Sequence, residues 1–164
     1  MNLMAIDPST KSTGVAIFKD EKLVHYECIS ESDNNVLTRI DKITDKLCSL
    51  AIEYQINEIT IEDTLREDVK GNDQVFRALM YLQGTMAVKF NKINLKLNKI
   101  FVASEWRKLV GIKTGRGVYR ETLKKASMKL AKDHYNIDVN DDVSDSICIG
   151  IAYLKQQNED YNWE

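Results

Sequence analysis

"MAIDPSTKSTGVAIF", residues 4–18, runs an apolar strand into a carboxylate, breaks at Pro8 and resumes as a second apolar stretch. A buried charge without a partner is costly, so Asp7 at the mouth of a buried strand needs a physical reason. Outward from this stretch, residues 2–7, 14–19 and 22–30 are rich in Val, Ile, Leu and Tyr and are joined by short turns, which predicts an antiparallel meander. The period then changes. Val36, Ile40, Ile43, Leu47, Leu50 and Tyr54 recur at three and four residues, so 34–55 reads as an amphipathic helix capped by Asp33 or Asn34. "EITIED", 58–63, is a fourth strand, and it too ends in acid.

After a polar loop, 64–73, a second helix runs from about Gln74 to Leu95, and its part "VFRALMYLQGTMAVKF" is apolar on nearly every side. Such a helix must be covered on both sides. A second copy of the chain is the expected outer cover; the competing expectation is a helix buried at the centre of one subunit. "KIFVAS", 99–104, is a fifth strand, followed by a short helix, 104–111, a basic loop, "IKTGRG", and a third long helix, 118–135. Leu123, Ala126 and Leu130 give that helix its inner line. "DDVSDSICIGIAYLKQQ" closes the chain as a final helix. The expected class is α/β: a mixed five-stranded sheet, three antiparallel strands then parallel ones, with helices on both faces.

The chain has 164 residues, 43% hydrophobic and 29% charged, which fits a single domain over 1–164. No apolar run is long enough to span a bilayer and the N-terminus lacks a signal core, so a soluble, cytoplasmic protein without a membrane partner is expected. Cys28, Cys48 and Cys148 are too few and too scattered for a disulfide framework or a zinc set and read as small core residues. His25 and His134 each stand alone and read as non-catalytic. A net charge of -2 hides an asymmetry: residues 89–132 carry thirteen Lys or Arg against two acids. That block reads either as a solvated helix face or as a polyanion-binding surface beside an acidic site.

The acids make sense together. Asp142 and Asp145, three residues apart, share a helix face, as do Asp141 and Asp145 at a spacing of four. With Asp7 and Glu62 at strand ends, up to four carboxylates would gather where no histidine or cysteine accompanies them. Such crowding is tolerable when divalent cations neutralise it. Oxygen-only ligation favours magnesium or manganese. Two such ions roughly 4 Å apart can activate a water for in-line attack on a phosphodiester.

"MAIDPSTKSTGVAIF", "ITIEDTL" and "NDDVSDSICIGIA" resemble, in order and separation, the three acidic motifs of the RuvC family of Holliday junction resolvases, within the RNase H-like nucleases. The resemblance implies an RNase H-like fold over nearly the whole chain. It places Asp7, Glu62, Asp142 and Asp145 as catalytic and metal-holding residues, with Mg2+ or Mn2+, two per site, and favours Asp142 over Asp141. It also implies a homodimer through the helix around 74–90 that binds four-way DNA junctions and nicks two opposing strands symmetrically. Arg107, Lys108, Lys113 and Arg116 fall in the segment where the family carries basic catalytic-side residues; with Arg120 and Lys124 they are the candidate DNA contacts. Trp106 and Tyr119, beside them, read as packing residues. Two positions depart from the family pattern: Ser9 replaces a turn glycine, and Leu65 stands where an aromatic is common. Competing functions are an RNase H-like nuclease for other branched DNA or RNA-containing substrates, and a non-catalytic junction-binding module. An actin-like ATPase fails on length and on the lack of a glycine-rich phosphate loop.

Overall fold

A computed structural model of the chain describes residues 1–69 and 71–158; Lys70, in the expected polar loop, lies outside the described residues. Five strands, β1 (Asn2–Asp7), β2 (Ser12–Lys19), β3 (Lys22–Ser30), β4 (Glu58–Glu62) and β5 (Lys99–Phe101), form one sheet in the order β3-β2-β1-β4-β5. β1, β2 and β3 pair antiparallel, whereas β4 lies parallel to β1 and β5 parallel to β4. Ile6 pairs with Ile61, so Asp7 and Glu62 leave adjacent parallel strands at the same edge of the sheet.

Alternation along β1 sends its side chains into two cores. Leu3 and Ala5 join Ala16, Phe18, Phe101 and Trp106 on one face. Met4 and Ile6 join Val15, Ile17, Ile59 and Ile61 on the other. The first core is closed by α3 (Ala103–Leu109), α4 (Arg120–Tyr135) and α5 (Asp141–Gln157), the second by α1 (Val36–Glu53) and α2 (Asp73–Lys92). A continuous apolar run, rather than an alternating one, is what a central strand covered on both faces requires.

Three local expectations change. The cap of α1 is Asn35, whose side chain accepts from the Leu37 and Thr38 N–H groups; Asp33 instead accepts from the Asn35 N–H at 2.8 Å. Three successive capping-type residues precede the helix, and the last of them sits at its mouth. β5 stops at Phe101 because α3 already begins at Ala103. Lastly, α2 is not the helix buried all round. It buries Leu82, Met86 and Phe90, while Val75, Met80, Tyr81 and Val88 are exposed, which removes the expectation of a central helix at this position. α5 has that place: every residue from Ser146 to Leu154 is buried, and the helix lies against β1, β2, β3 and β4 beneath α3 and α4.

Two glycines admit α5 to the sheet. A Cβ on Gly14 would overlap the Asp142 carbonyl, and one on Gly150 would overlap the Phe18 ring. Backbone cannot yield as a flexible side chain does, so Gly14→Ala is expected to destabilise the protein by about 3 kcal/mol, the upper end of ordinary overpacking. Urea denaturation would show a lower midpoint at unchanged slope.

Candidate active site

Each candidate acid reaches its place through a different element. Asp7 ends β1, Glu62 ends β4, and Asp142 and Asp145 project from the first turns of α5, which crosses the sheet beside them. All four line one cavity of about 1110 Å³. Asp141 lines it as well, and so do Arg107, Arg120 and Lys124 from the candidate DNA contacts. Lys108 and Lys113 sit elsewhere, around a separate hollow of about 550 Å³ at the end of α3, and Arg116 is on the exposed loop between α3 and α4.

The turn that carries Asp7 is held from both sides. Ser9, in place of the family's glycine, does not adopt a left-handed backbone. Its side chain accepts from the Lys11 and Ser12 N–H groups at 3.3 Å, and Thr13 Oγ1 donates to its carbonyl at 2.6 Å. Arg39 donates from Nε to the Thr10 carbonyl at 2.8 Å and from Nη1 to the Asp33 carbonyl at 2.6 Å, tying this turn to the entry of α1.

The acids differ in their partners. Trp106, fully buried, donates its indole N–H to Glu62 Oε2 at 2.5 Å. Ser12 donates to Asp142 Oδ2 at 2.5 Å. Arg107 stacks on the Trp106 ring at 4.6 Å and approaches Asp145 Oδ2 at 3.8 Å. Arg107 Nε and Asp145 Oδ1 are both buried without a hydrogen-bond partner. Lys124 pairs with Asp141 and holds its carboxyl below the ordinary range.

Crowding shows in the protonation balance. Desolvation holds the Asp7 carboxyl well above its ordinary value, and the charges of Glu62, Asp145 and Asp142 add to it, against Arg107. Burial likewise pushes Asp145 up to about 6. These shifts mark acids gathered without enough positive charge among their own neighbours.

Sequence reasoning passed over Ser12 and Arg39 as site residues and read Trp106 as packing only; none carries a local motif, because each acts across the fold. Several cations of the basic block are engaged by acids. Lys124, Lys129 and Lys132 pair with Asp141, Asp133 and Asp138, all just beyond the basic block, while Lys89 pairs with Asp41 and Asp45 and Lys99 with Glu105.

Among the described residues, no three acidic, His or Cys side chains close around a single point as a ready-made metal cage. The donor set nevertheless suits a hard divalent cation: all oxygen, several charges, and one buried carboxylate oxygen, Asp145 Oδ1, left unpaired. Asp7, Glu62, Asp142 and Asp145 are the residues that would hold it.

A mixed sheet of this order, with acids at the carboxyl ends of two adjacent parallel strands and on the helix that crosses them, defines an RNase H-like fold. The family model for crossover junction endodeoxyribonuclease RuvC matches residues 3–153, and the chain belongs to that family. It is a Holliday junction resolvase family, and its members are endonucleases. No curated protein matches the sequence significantly. Among solved structures, Thermus thermophilus RuvC in complex with Holliday junction substrate superposes with a TM-score of 0.75 at 11% identity, over 96% of both chains. The yeast mitochondrial Holliday junction resolvase gives a TM-score of 0.59 at 15% identity, over 94% of this chain and 78% of that one. Fowlpox virus resolvase, solved with substrate Holliday junction DNA, gives 0.53 at 16%, over 96% of this chain and 99% of that one. No helix among the described residues is long and apolar enough to cross a membrane.

Proposed function

We propose that this chain resolves four-way DNA junctions as a divalent-metal-dependent endonuclease, hydrolysing one phosphodiester at each of two symmetrically placed sites. The observation that carries the reading is the meeting of Asp7, Glu62, Asp142 and Asp145 in one cavity that Arg107, Arg120 and Lys124 also line. Magnesium or manganese, two ions per site, would neutralise the carboxylates and activate water for in-line attack on phosphorus. The four acids would supply the ligand oxygens. Arg107, Arg120 and Lys124 hold the phosphate and offset charge on the leaving oxygen. Asp142 is favoured over Asp141 because its charge acts on Asp7 whereas Asp141 is engaged by Lys124.

Symmetric nicking requires two active sites, and the exposed Met80, Tyr81 and Val88 on the outer face of α2 give a second copy apolar side chains to cover. Lys108, Lys113 and Arg116, away from the acids, suit contacts to phosphates of the junction arms, which position the substrate without reading its sequence. Incubation of the protein with a four-way junction, a fork and a linear duplex of matched sequence, in magnesium at one salt concentration, tests the reading. Paired nicks at symmetric positions of the junction are expected; equal cutting of fork or duplex would point to a different branched substrate.

A further inference from the structure

We infer that Ser12 is a positioning residue for the metal-holding carboxylate of Asp142. The inference rests on the reading of Asp142 as a metal ligand and goes beyond it by assigning a role to a residue outside the acidic motifs. Ser12 opens β2 and Asp142 stands in the first turn of α5, 130 residues apart in sequence. Gly14, two residues along β2, lets the α5 backbone lie directly on the strand, so the two elements meet in a fixed register. Ser12 Oγ then lies 2.5 Å from Asp142 Oδ2.

The direction of this bond follows from the groups. An ionised carboxylate only accepts, so Ser12 must donate its single proton to it. The Ser12 oxygen is then left as an acceptor, and Cys28 Sγ lies 3.0 Å from it on the paired strand β3. With the Ser12 proton spent on Asp142, the thiol is the donor, and the order runs Cys28 S–H to Ser12 O–H to Asp142 Oδ2. A short carboxylate side chain otherwise turns freely about its terminal torsion. Fixing Oδ2 fixes the plane in which the carboxylate would meet an ion. Groups that orient ligands in this way typically change metal affinity by roughly tenfold to a hundredfold when removed.

The test compares Ser12→Thr with Ser12→Val, which share a shape and differ in the hydroxyl, alongside Ser12→Ala and Asp142→Asn, all in the full-length protein. Mn2+ binding is measured by titration calorimetry, junction binding in chelator by gel shift, and folding by thermal melting. Ser12→Val and Ser12→Ala are expected to weaken Mn2+ binding by about tenfold or more, while Ser12→Thr stays near the parent and junction binding in chelator does not change. On the Asp142→Asn background, Ser12→Val is expected to add no further loss, since the bond it removes no longer meets a carboxylate. If Asp142→Asn weakens Mn2+ binding and Ser12→Val does not, the positioning role is wrong and the metal site stands. If Asp142→Asn binds Mn2+ like the parent, the reading of Asp142 as a ligand is what fails.

Discussion

Junction cleavage by the Asp7→Asn protein in magnesium is expected to fall by about a thousandfold or more, with the junction still bound. Asn has nearly the shape of Asp but carries no charge, so the variant isolates electrostatics from packing. Asp7 is the acid on which the other three converge: Glu62, Asp145 and Asp142 all raise its proton affinity. A divalent ion held there would draw on that concentrated charge, and its contribution to the transition state is worth several kcal/mol. A loss of about 4 kcal/mol corresponds to a thousandfold in rate. Binding is expected to respond differently, because Arg107, Arg120 and Lys124 line the same cavity and would attract phosphates that the acids repel. Removing one negative charge therefore leaves affinity equal to or above the parent's. Single-turnover nicking and gel shifts on the same junction separate the two quantities, and undiminished cleavage would remove Asp7 from the chemistry.

The parts of this arrangement that local sequence encodes were legible, and those that depend on what packs over an element were not. β3 and α5 occupy the residues their patterns predict, Lys22–Ser30 and Asp141–Gln157. The parallel pairing of β1 with β4 brings their terminal acids to one edge as expected. Which helix a single chain buries on every side, by contrast, was not legible. α5 carries Ser144 and Ser146 in the interior, where each hydroxyl donates back to a carbonyl three residues earlier, at 2.9 and 2.8 Å. Small polar residues satisfied within their own helix look like a wet face in sequence and pack as a dry one. α2 shows the reverse, an apolar surface that a single chain leaves open. The acids of the site could be found because each ends or begins a regular element. Ser12, Trp106 and Arg39 could not, since their partners lie 130, 44 and 29 residues away. How much of the basic block is engaged was not legible either, because Asp133, Asp138 and Asp141 lie beyond residue 132 and pair with three of its lysines.

In chelator, the protein is expected to become more stable as the pH falls from 7 to 5, the opposite of a fold held by well-paired carboxylates. The sign comes from Asp145 and Asp7, whose carboxyls hold their protons more tightly folded than unfolded. A raised folded pKa contributes stability that is complete below the unfolded value, 3.8, and is lost as the pH rises through the folded value, about 6 for Asp145. With the Asp145 side chain only 15% exposed, solvent screens this shift weakly. Its full span is worth about 3 kcal/mol, of which about 1 kcal/mol is gained between pH 7 and pH 5. Asp7 adds to it in the same direction. Asp141, held low by Lys124, and Asp33, held low by the Asn35 N–H, act in the opposite sense, but only near and below the ordinary carboxylate range. The window from pH 7 to 5 therefore reports the crowded acids. For a chain of this length, about 1 kcal/mol corresponds to a rise of about 2–4 °C in Tm. Asp145→Asn, which resembles the protonated state, is expected to melt higher than the parent at pH 7 in chelator and to show a shallower slope. Magnesium at pH 7 is expected to raise Tm and flatten the slope for the parent, because an ion that binds only the folded, ionised site removes the repulsion that protons otherwise relieve. A stability that falls between pH 7 and 5 in chelator would mean that the acids are already neutralised by the protein itself, and the case for a divalent ion among them would lose its electrostatic ground.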